Sequence, residues 1–297
     1  MLGGTIALER YLRAGAGEPG RTAEGLERYP LRAIAVFLAR KVGFAGPVLT
    51  VSTACAAGTD AIGLAYRKIA SGSADLIVAG GVDVVCELSF SGFCALKALT
   101  GDKVRPFSRN RSGLALGEGA AFLVLESRRA AMRRGATVLG RIAGYASRSD
   151  AVHLTAPHRE GRGLAAAALA ALRDGGCRPQ EIDYVSAHGT GTPYNDAMET
   201  KALKSALGDH ARRVAISSIK GAVGHPFGAA GAMEAAVCLL AMRDGIVPPT
   251  ANLEEADPAC DLDFVPNRAR RVTVRTALSL SAGFGGQDAA LLIRDGA

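Results

Sequence analysis

Val48-Leu49-Thr50-Val51-Ser52-Thr53-Ala54-Cys55-Ala56-Ala57-Gly58 is the stretch on which the reading of the chain turns. Val48 to Ser52 is a short β-branched run of the kind that forms a buried strand. Thr53 to Gly58 are all small residues and read as a tight turn. Apolar residues at Ile62, Leu64, Ala65 and Ile69 then follow a helical pattern that ends near Gly72. Asp75 to Gly80 reads as a second buried strand. Strand, turn, helix and strand in this order predict a parallel βαβ unit and an α/β fold. Cys55 falls where the turn opens the helix. Free N–H groups and the macrodipole at that point favour a thiolate over a thiol.

The second half repeats the plan. Ile182 to Ala187 reads as a strand that runs into His188-Gly189-Thr190-Gly191-Thr192, with a helix from Asn195 to Leu207. Val214 to Ser218 is a further strand. It leads through Lys220 and His225 into a Gly/Ala-rich helix from Gly228 to Met242. Val272 to Ser281 and Asp288 to Ile293 read as two strands around the turn Gly283-Phe284-Gly285-Gly286. Val51 to Ala70 parallels Ile216 to Ala241, and the turn Gly117-Glu118-Gly119 before Phe122 to Leu125 parallels Gly283 to Gly286 before Leu291 to Ile293. Two related halves packed face to face explain this, with a boundary near Arg133 to Thr137. Coincidence in an Ala/Gly-rich chain is the lesser alternative.

Composition bounds the class. The chain has 297 residues, of which 48% are apolar and 5% aromatic, with no Trp. That suits a compact α/β enzyme with a large core. No apolar run reaches membrane-spanning length. Glu9 and Arg10 interrupt the apolar start, which argues against a signal peptide. A cytoplasmic protein without membrane partners is expected. The six cysteines form no CxxC pair and have no histidine at zinc spacing, so they read as reduced thiols. The net charge of +7 comes from scattered arginines, and with few aromatics to stack bases no nucleic-acid partner is expected. A solvated basic surface or a dock for an acidic carrier protein fits better.

His188 and His225 each follow a predicted strand and lie in glycine-lined loops, where α/β sheets bind ligands. Taken singly, each is as compatible with a hydrogen-bonded loop residue, and Cys55 with a packed core thiol. Together they point to a site.

The joint pattern resembles the β-ketoacyl-[acyl-carrier-protein] synthases. Val51 to Gly58 resembles the family's nucleophile elbow. Ala187-His188-Gly189-Thr190-Gly191-Thr192-Pro193 with Asp196 and Glu199 resembles its first histidine motif, and Ser217 to His225 its lysine and second-histidine motif. Gly283 to Gly286 resembles the C-terminal glycine turn, and Arg105-Pro106-Phe107 with Gly117 to Ala120 the middle of the chain. The resemblance runs in order from about Gly46 to the C-terminus.

This resemblance implies a thiolase-like fold, two pseudo-symmetric halves in layered α-β-α-β-α arrangement, divided as 1–135 carrying the nucleophile and 136–297 carrying the histidines. The family's chains are longer, so the first half is expected to be incomplete, with Leu2-Gly3-Gly4 matching its middle. Open sheet edges would then put independent folding in doubt. The implied reaction is decarboxylative condensation. Cys55 is the nucleophile, its N–H and that of Phe284 form the oxyanion hole, and His188 and His225 hydrogen-bond the malonyl thioester oxygen. Lys220 shares their pocket, with Glu199 as a carboxylate partner. Thr190 and Thr192 hold phosphopantetheine, Phe284 gates the acyl pocket and Phe93 lines it. Lys97 contacts the acyl carrier protein, and Glu234 matches a structural-cation position in some relatives. No cofactor of its own is implied. A dimer, with itself or with a synthase-like subunit, is expected through Val48 to Thr53. Ala282 and Gln287-Asp288 depart from the family's common pattern.

Rival readings are a non-catalytic chain-length-factor-like partner, a thiolase and a cysteine hydrolase. Retention of Cys55, His188, Lys220 and His225 weighs against the first. The lack of a cysteine after Cys260 weighs against the second. The hydrolase reading leaves Lys220 and the His225 loop without a clear job.

Overall fold

A computed structural model of the chain describes residues 31–296. The readings made at Met1 to Arg13 and at Leu2-Gly3-Gly4 lie outside them. Helix α1 (Arg32–Lys41) is followed by α2 (Ala57–Ala70), β1 (Leu76–Asp83), α3 (Glu87–Ala95), β2 (Gly119–Glu126) and α4 (Arg128–Arg133). Beyond it come β3 (Arg141–Ser149), α5 (Arg162–Asp174), β4 (Tyr184–Ser186), α6 (Pro193–Leu207), β5 (Ala215–Ser217), α7 (Lys220–Val223) and α8 (Ala230–Asp244). The short strands β6 (Ile246–Val247) and β7 (Arg270–Arg271) precede the long hairpin β8 (Thr276–Gly283) and β9 (Gln287–Arg294).

Five strands form one sheet in the order β3-β9-β8-β4-β5. β4 runs parallel to β5 and β8, while β9 runs antiparallel to β8 and β3. This sheet is buried on both faces: β8 and β9 are buried along most of their length, as strands covered on two sides must be. α2 and α8 pack on one face, and α5, itself packed on α6, on the other. On the far side of α2 and α8 lies the antiparallel pair β1–β2. Sheet, central helices, sheet and outer helices therefore stack in layers.

The stretch Val48 to Ser52 departs from expectation. It joins no sheet among the described residues, and Leu49 is 63% exposed. A strand exists only through its ladder partner, and β1 is bonded only to β2 here. Among the described residues the anticipated parallel βαβ unit over Gly46 to Gly80 is therefore not formed. Its helix and second strand do.

The central layer depends on two helix starts that touch. A 3-10 turn, Ala54–Ala56, leads into α2, and another, Phe227–Ala229, leads into α8. Both open on a left-handed residue, Ala54 at φ 49° and Phe227 at φ 47°. A Cβ on Gly58 would lie 2.7 Å from Gly228 O and 2.8 Å from Ala232 N, and one on Gly231 would collide with Thr59. Only glycine permits that approach.

Gly231→Ala is expected to destabilise the fold by about 1–3 kcal/mol through overpacking. Gly92→Ala, in α3 with open space around it, should be neutral or stabilising by up to about 1 kcal/mol. Urea midpoints of the two variants check this.

Candidate active site

Cys55 lies in the 3-10 turn ahead of α2 and is buried. The left-handed Ala54 before it costs on the order of 1–2 kcal/mol and turns the chain so that the sulfur faces the C-terminal half. There the Phe284 backbone N–H lies close enough to Cys55 Sγ to favour its anion. A Cβ on Gly283 would lie 3.2 Å from Cys55 N, so the glycine turn approaches the nucleophile through bare backbone. Burial pushes the thiol up to about 11, opposed first by the charge of Lys220 and then by the Phe284 N–H. This corrects the expectation of a helix-start thiolate. Desolvation of the anion outweighs the favourable dipoles in a closed pocket.

His188 follows β4, and His225 lies between α7 and α8. Both are buried, and their rings meet edge to face with centroids 5.2 Å apart. The Lys220 ammonium donates to His188 O at 2.7 Å and lies 3.4 Å from His188 Nδ1. An ammonium has no lone pair, so Nδ1 accepts and the ring proton resides on Nε2. Burial, and next the charge of Lys220, hold both imidazoles well below the usual histidine range. They are neutral at physiological pH, each with one N–H to offer.

An aromatic run adjoins the imidazoles. Phe284 stacks on Phe93, Phe93 meets Phe227 edge-on, and Phe227 stacks on His225, with centroid spacings of 5.5, 5.5 and 5.9 Å. Thr190 and Thr192 share a hydrogen bond of 2.9 Å beyond His188. Lys97 is exposed just past the end of α3.

The chemistry available here is acyl capture on sulfur and stabilisation of an oxygen anion by neutral N–H donors. Against this geometry stand the relatives. The family model of the beta-ketoacyl synthase N-terminal domain matches residues 19–131, and that of the C-terminal domain matches 139–254. A 3-oxoacyl-[acyl-carrier-protein] synthase 2 of Synechocystis sp. is 44% identical over 85% of this chain and 62% of its own length. Nodulation protein E of Rhizobium meliloti is 42% identical over 99% of this chain and 73% of its own. A solved type II polyketide ketosynthase, bound to a hexaketide and its acyl-carrier protein, superposes with a TM-score of 0.95. It is 35% identical, over 99% of this chain and 76% of that one. The chain belongs to the β-ketoacyl synthase family. It spans less than two thirds of the length of the first curated relatives it matches.

In this β-ketoacyl synthase fold Lys220 forms its ion pair with Glu234, not with Glu199. Spacing on one chain misled here. Glu199, one turn into α6, lies under the His188 loop and accepts the N–H groups of His188 at 2.6 Å and Gly189 at 2.8 Å. Glu234, on α8, faces Lys220, and both are 1% exposed. Burial raises Glu199 to about 7, with those two N–H bonds opposing. Glu234, expected at a structural cation, pairs with Lys220 through Oε1, while its buried Oε2 has no hydrogen-bond partner. Among the described residues no group of three or more His, Cys, Asp or Glu is arranged to hold a metal ion. Phe227 and Asp83 were missed. Asp83, the last residue of β1, accepts the Gly228 N–H at 2.9 Å and so ties the start of α8 to the end of β1. The repeat held the signal for Phe227, which occupies in its half the place of Ala54.

Removing Glu234 alone is expected to cost about 3–5 kcal/mol, because it strands a buried ammonium. A double-mutant cycle of Lys220→Met with Glu234→Leu should return most of that as coupling. The same cycle with Glu199→Gln should couple by under about 1 kcal/mol. Thermal denaturation of the six proteins measures both.

Proposed function

We propose that the chain carries the catalytic machinery of a β-ketoacyl-[acyl-carrier-protein] synthase, acting in fatty acid or polyketide biosynthesis. One observation supports it above the others. A buried thiol with a backbone N–H on its sulfur lies within the field of Lys220, whose ammonium also touches one of two neutral, mutually packed imidazoles.

In the first half-reaction the Cys55 sulfur attacks the acyl thioester carbonyl. The C–S bond to the carrier's pantetheine breaks, and the thiol proton passes to the departing sulfur. A thiol raised to about 11 is scarcely ionised at neutral pH, so proton removal accompanies attack. In the second half-reaction malonyl thioester loses CO₂, and the electron pair of the broken C–C bond becomes an enolate. His188 Nε2–H and an N–H of His225 hydrogen-bond its oxygen. The enolate carbon attacks the acyl-cysteine carbonyl, whose oxyanion is received by the N–H groups of Cys55 and Phe284, and the Cys55 thiolate leaves. Each such donor is typically worth about 3 kcal/mol of barrier.

Thr190 and Thr192 are assigned to the phosphopantetheine arm, and the Phe284–Phe93–Phe227 run to the acyl chain. Lys97, on a chain of net charge +7, is assigned to an acidic carrier protein. The partners are that carrier and a second synthase-like subunit, identical or not, seated at the exposed Val48–Leu49 stretch. The division at 135/136 separates nucleophile from histidines. Among the described residues no helix is long and apolar enough to cross a membrane, in keeping with a cytoplasmic location.

An acyl-pantetheine thioester is expected to acylate Cys55, and Cys55→Ala to abolish it, read by mass spectrometry. Iodoacetamide is the poorer probe, because Cys94 is exposed and Cys55 is not. His225→Ala should slow condensation about 100- to 1,000-fold while leaving acylation within about tenfold. Equal loss in both steps would remove the proposed division of labour.

A further inference from the structure

Asp288 opens β9 two residues after the glycine turn, and its carboxyl is 2% exposed. Its Oδ2 has no hydrogen-bond partner. A Cβ built on Gly163, at the start of α5, would collide with both Asp288 Oδ2 and Asp150 Oδ1. The two carboxyl oxygens therefore border the same small space, which only glycine leaves open. Asp150 already uses both oxygens as acceptors. Oδ1 takes the Gly163 N–H at 2.9 Å and Oδ2 takes the His158 N–H at 2.7 Å. A hydrogen between the two carboxyls must then come from Asp288.

The segment anchored by Asp150 covers the turn that carries Phe284. Asp150 N donates to Gly286 O at 2.9 Å, and Gly285 N donates to Leu154 O at 2.7 Å. A Cβ on Gly286, at φ 70°, would lie 2.9 Å from Asp150 Cβ. Inside this clamp lies the Phe284 N–H that favours the Cys55 anion.

We propose that Asp288 retains its proton in the folded protein and donates it from Oδ2 to Asp150. This carboxyl–carboxylate hydrogen bond locks the segment after β3 onto the glycine turn, making Asp288 a positioning residue for the backbone donor at Cys55. Without the proton, two negative charges would oppose each other in a buried space. The charged groups acting on Asp288 are Asp150 and, from α6, Glu199, and both repel its anion. Its cross-strand neighbour on β3, Arg148, is exposed and donates to Ser147 O. Arg162, at the start of α5, is exposed as well, and His158 Nδ1 accepts the Glu160 N–H. Burial first, then Asp150, raise Asp288 to about 8. The lock stands on this geometry and not on the condensation reading.

The sign of the pH dependence follows. The folded carboxyl, at about 8, lies far above the ordinary 3.8 of the unfolded chain. Its stabilising proton is fully present below the unfolded value, and the contribution is lost as pH rises through the folded one. Asp288→Asn keeps a donor toward Asp150 with nothing to titrate. Between pH 5 and about 7 the folding equilibrium of the native chain should fall relative to Asp288→Asn by close to tenfold per pH unit, levelling above about pH 8. Glu199 titrates in both proteins, so only its coupling to Asp288 survives the comparison.

Two native-state readouts accompany it, in a Cys94→Ser background. In the difference spectrum of native protein minus Asp288→Asn, an infrared carbonyl band of a protonated carboxyl should persist at pH 7.5 over the band that Glu199, raised to about 7, gives in both proteins. The alkylation rate of Cys55 should show an inflection near pH 8 that Asp288→Asn lacks. Asp150→Asn serves as second variant and should move the band's midpoint down toward the ordinary carboxylate range. A stability difference that does not change with pH, or a band unaltered in both variants, overturns the proposal.

Discussion

Lys220 brings a positive charge into a space that water does not reach, and the other polar groups of the site are arranged around that fact. A buried ammonium is tolerable only beside an anion, and Glu234 supplies it from the adjacent helix. What remains of its field does three things. It disfavours a second positive charge on His188 and His225, it fixes the tautomer of His188 through Nδ1, and it partly offsets the cost of a thiolate at Cys55. A chain with an apolar residue in place of the pair would leave the imidazoles free to take either tautomer. The pair therefore sets proton positions more than it sets stability.

Convergence of three distant loops on one spot has a second cause, the contact between the starts of α2 and α8. Gly58 and Gly231 let two helix N-termini meet backbone to backbone, and Asp83 on β1 holds the start of α8. Each helix is preceded by a left-handed residue and a 3-10 turn. One turn presents a sulfur, and the other presents a phenyl ring beside an imidazole. The same local device, used twice, places a nucleophile and the histidine wall opposite one another.

Much of this was legible in the order of residue types. Small residues around Cys55 and glycines around His188, His225 and Phe284 mark loops where backbone must come close, and the periods of the flanking segments gave the helices α2, α6 and α8 and the hairpin β8–β9. Properties that depend on a third body were not legible. The strand at Val48 to Ser52 has the right composition but no ladder beside it among the described residues. The partner of Lys220 is set by which helix faces it, and Glu234 faces it from α8 while Glu199 turns to the His188 loop. The ionisation of Cys55 was read from dipoles along the chain. Burial, created by residues more than a hundred positions away, decides it in the opposite direction.

The pairing of the strands bears on where the site gets its rigidity. β9 is flanked by β8 and β3, whereas β2, its counterpart in the repeat, is bonded only to β1 among the described residues, with Val124 61% exposed on its outer face. Such a two-stranded pair is weakly held by its own ladder. Cys55 does not depend on that ladder for its position. The turn before α2 rests against Gly283 on β8 and against Gly228 ahead of α8, both carried by the fully paired part of the fold. The nucleophile is thus referenced to the same framework as the two histidines and the Phe284 N–H. Motion in the β1–β2 pair would reach the thiol only after displacing a helix crossing in which backbone touches backbone.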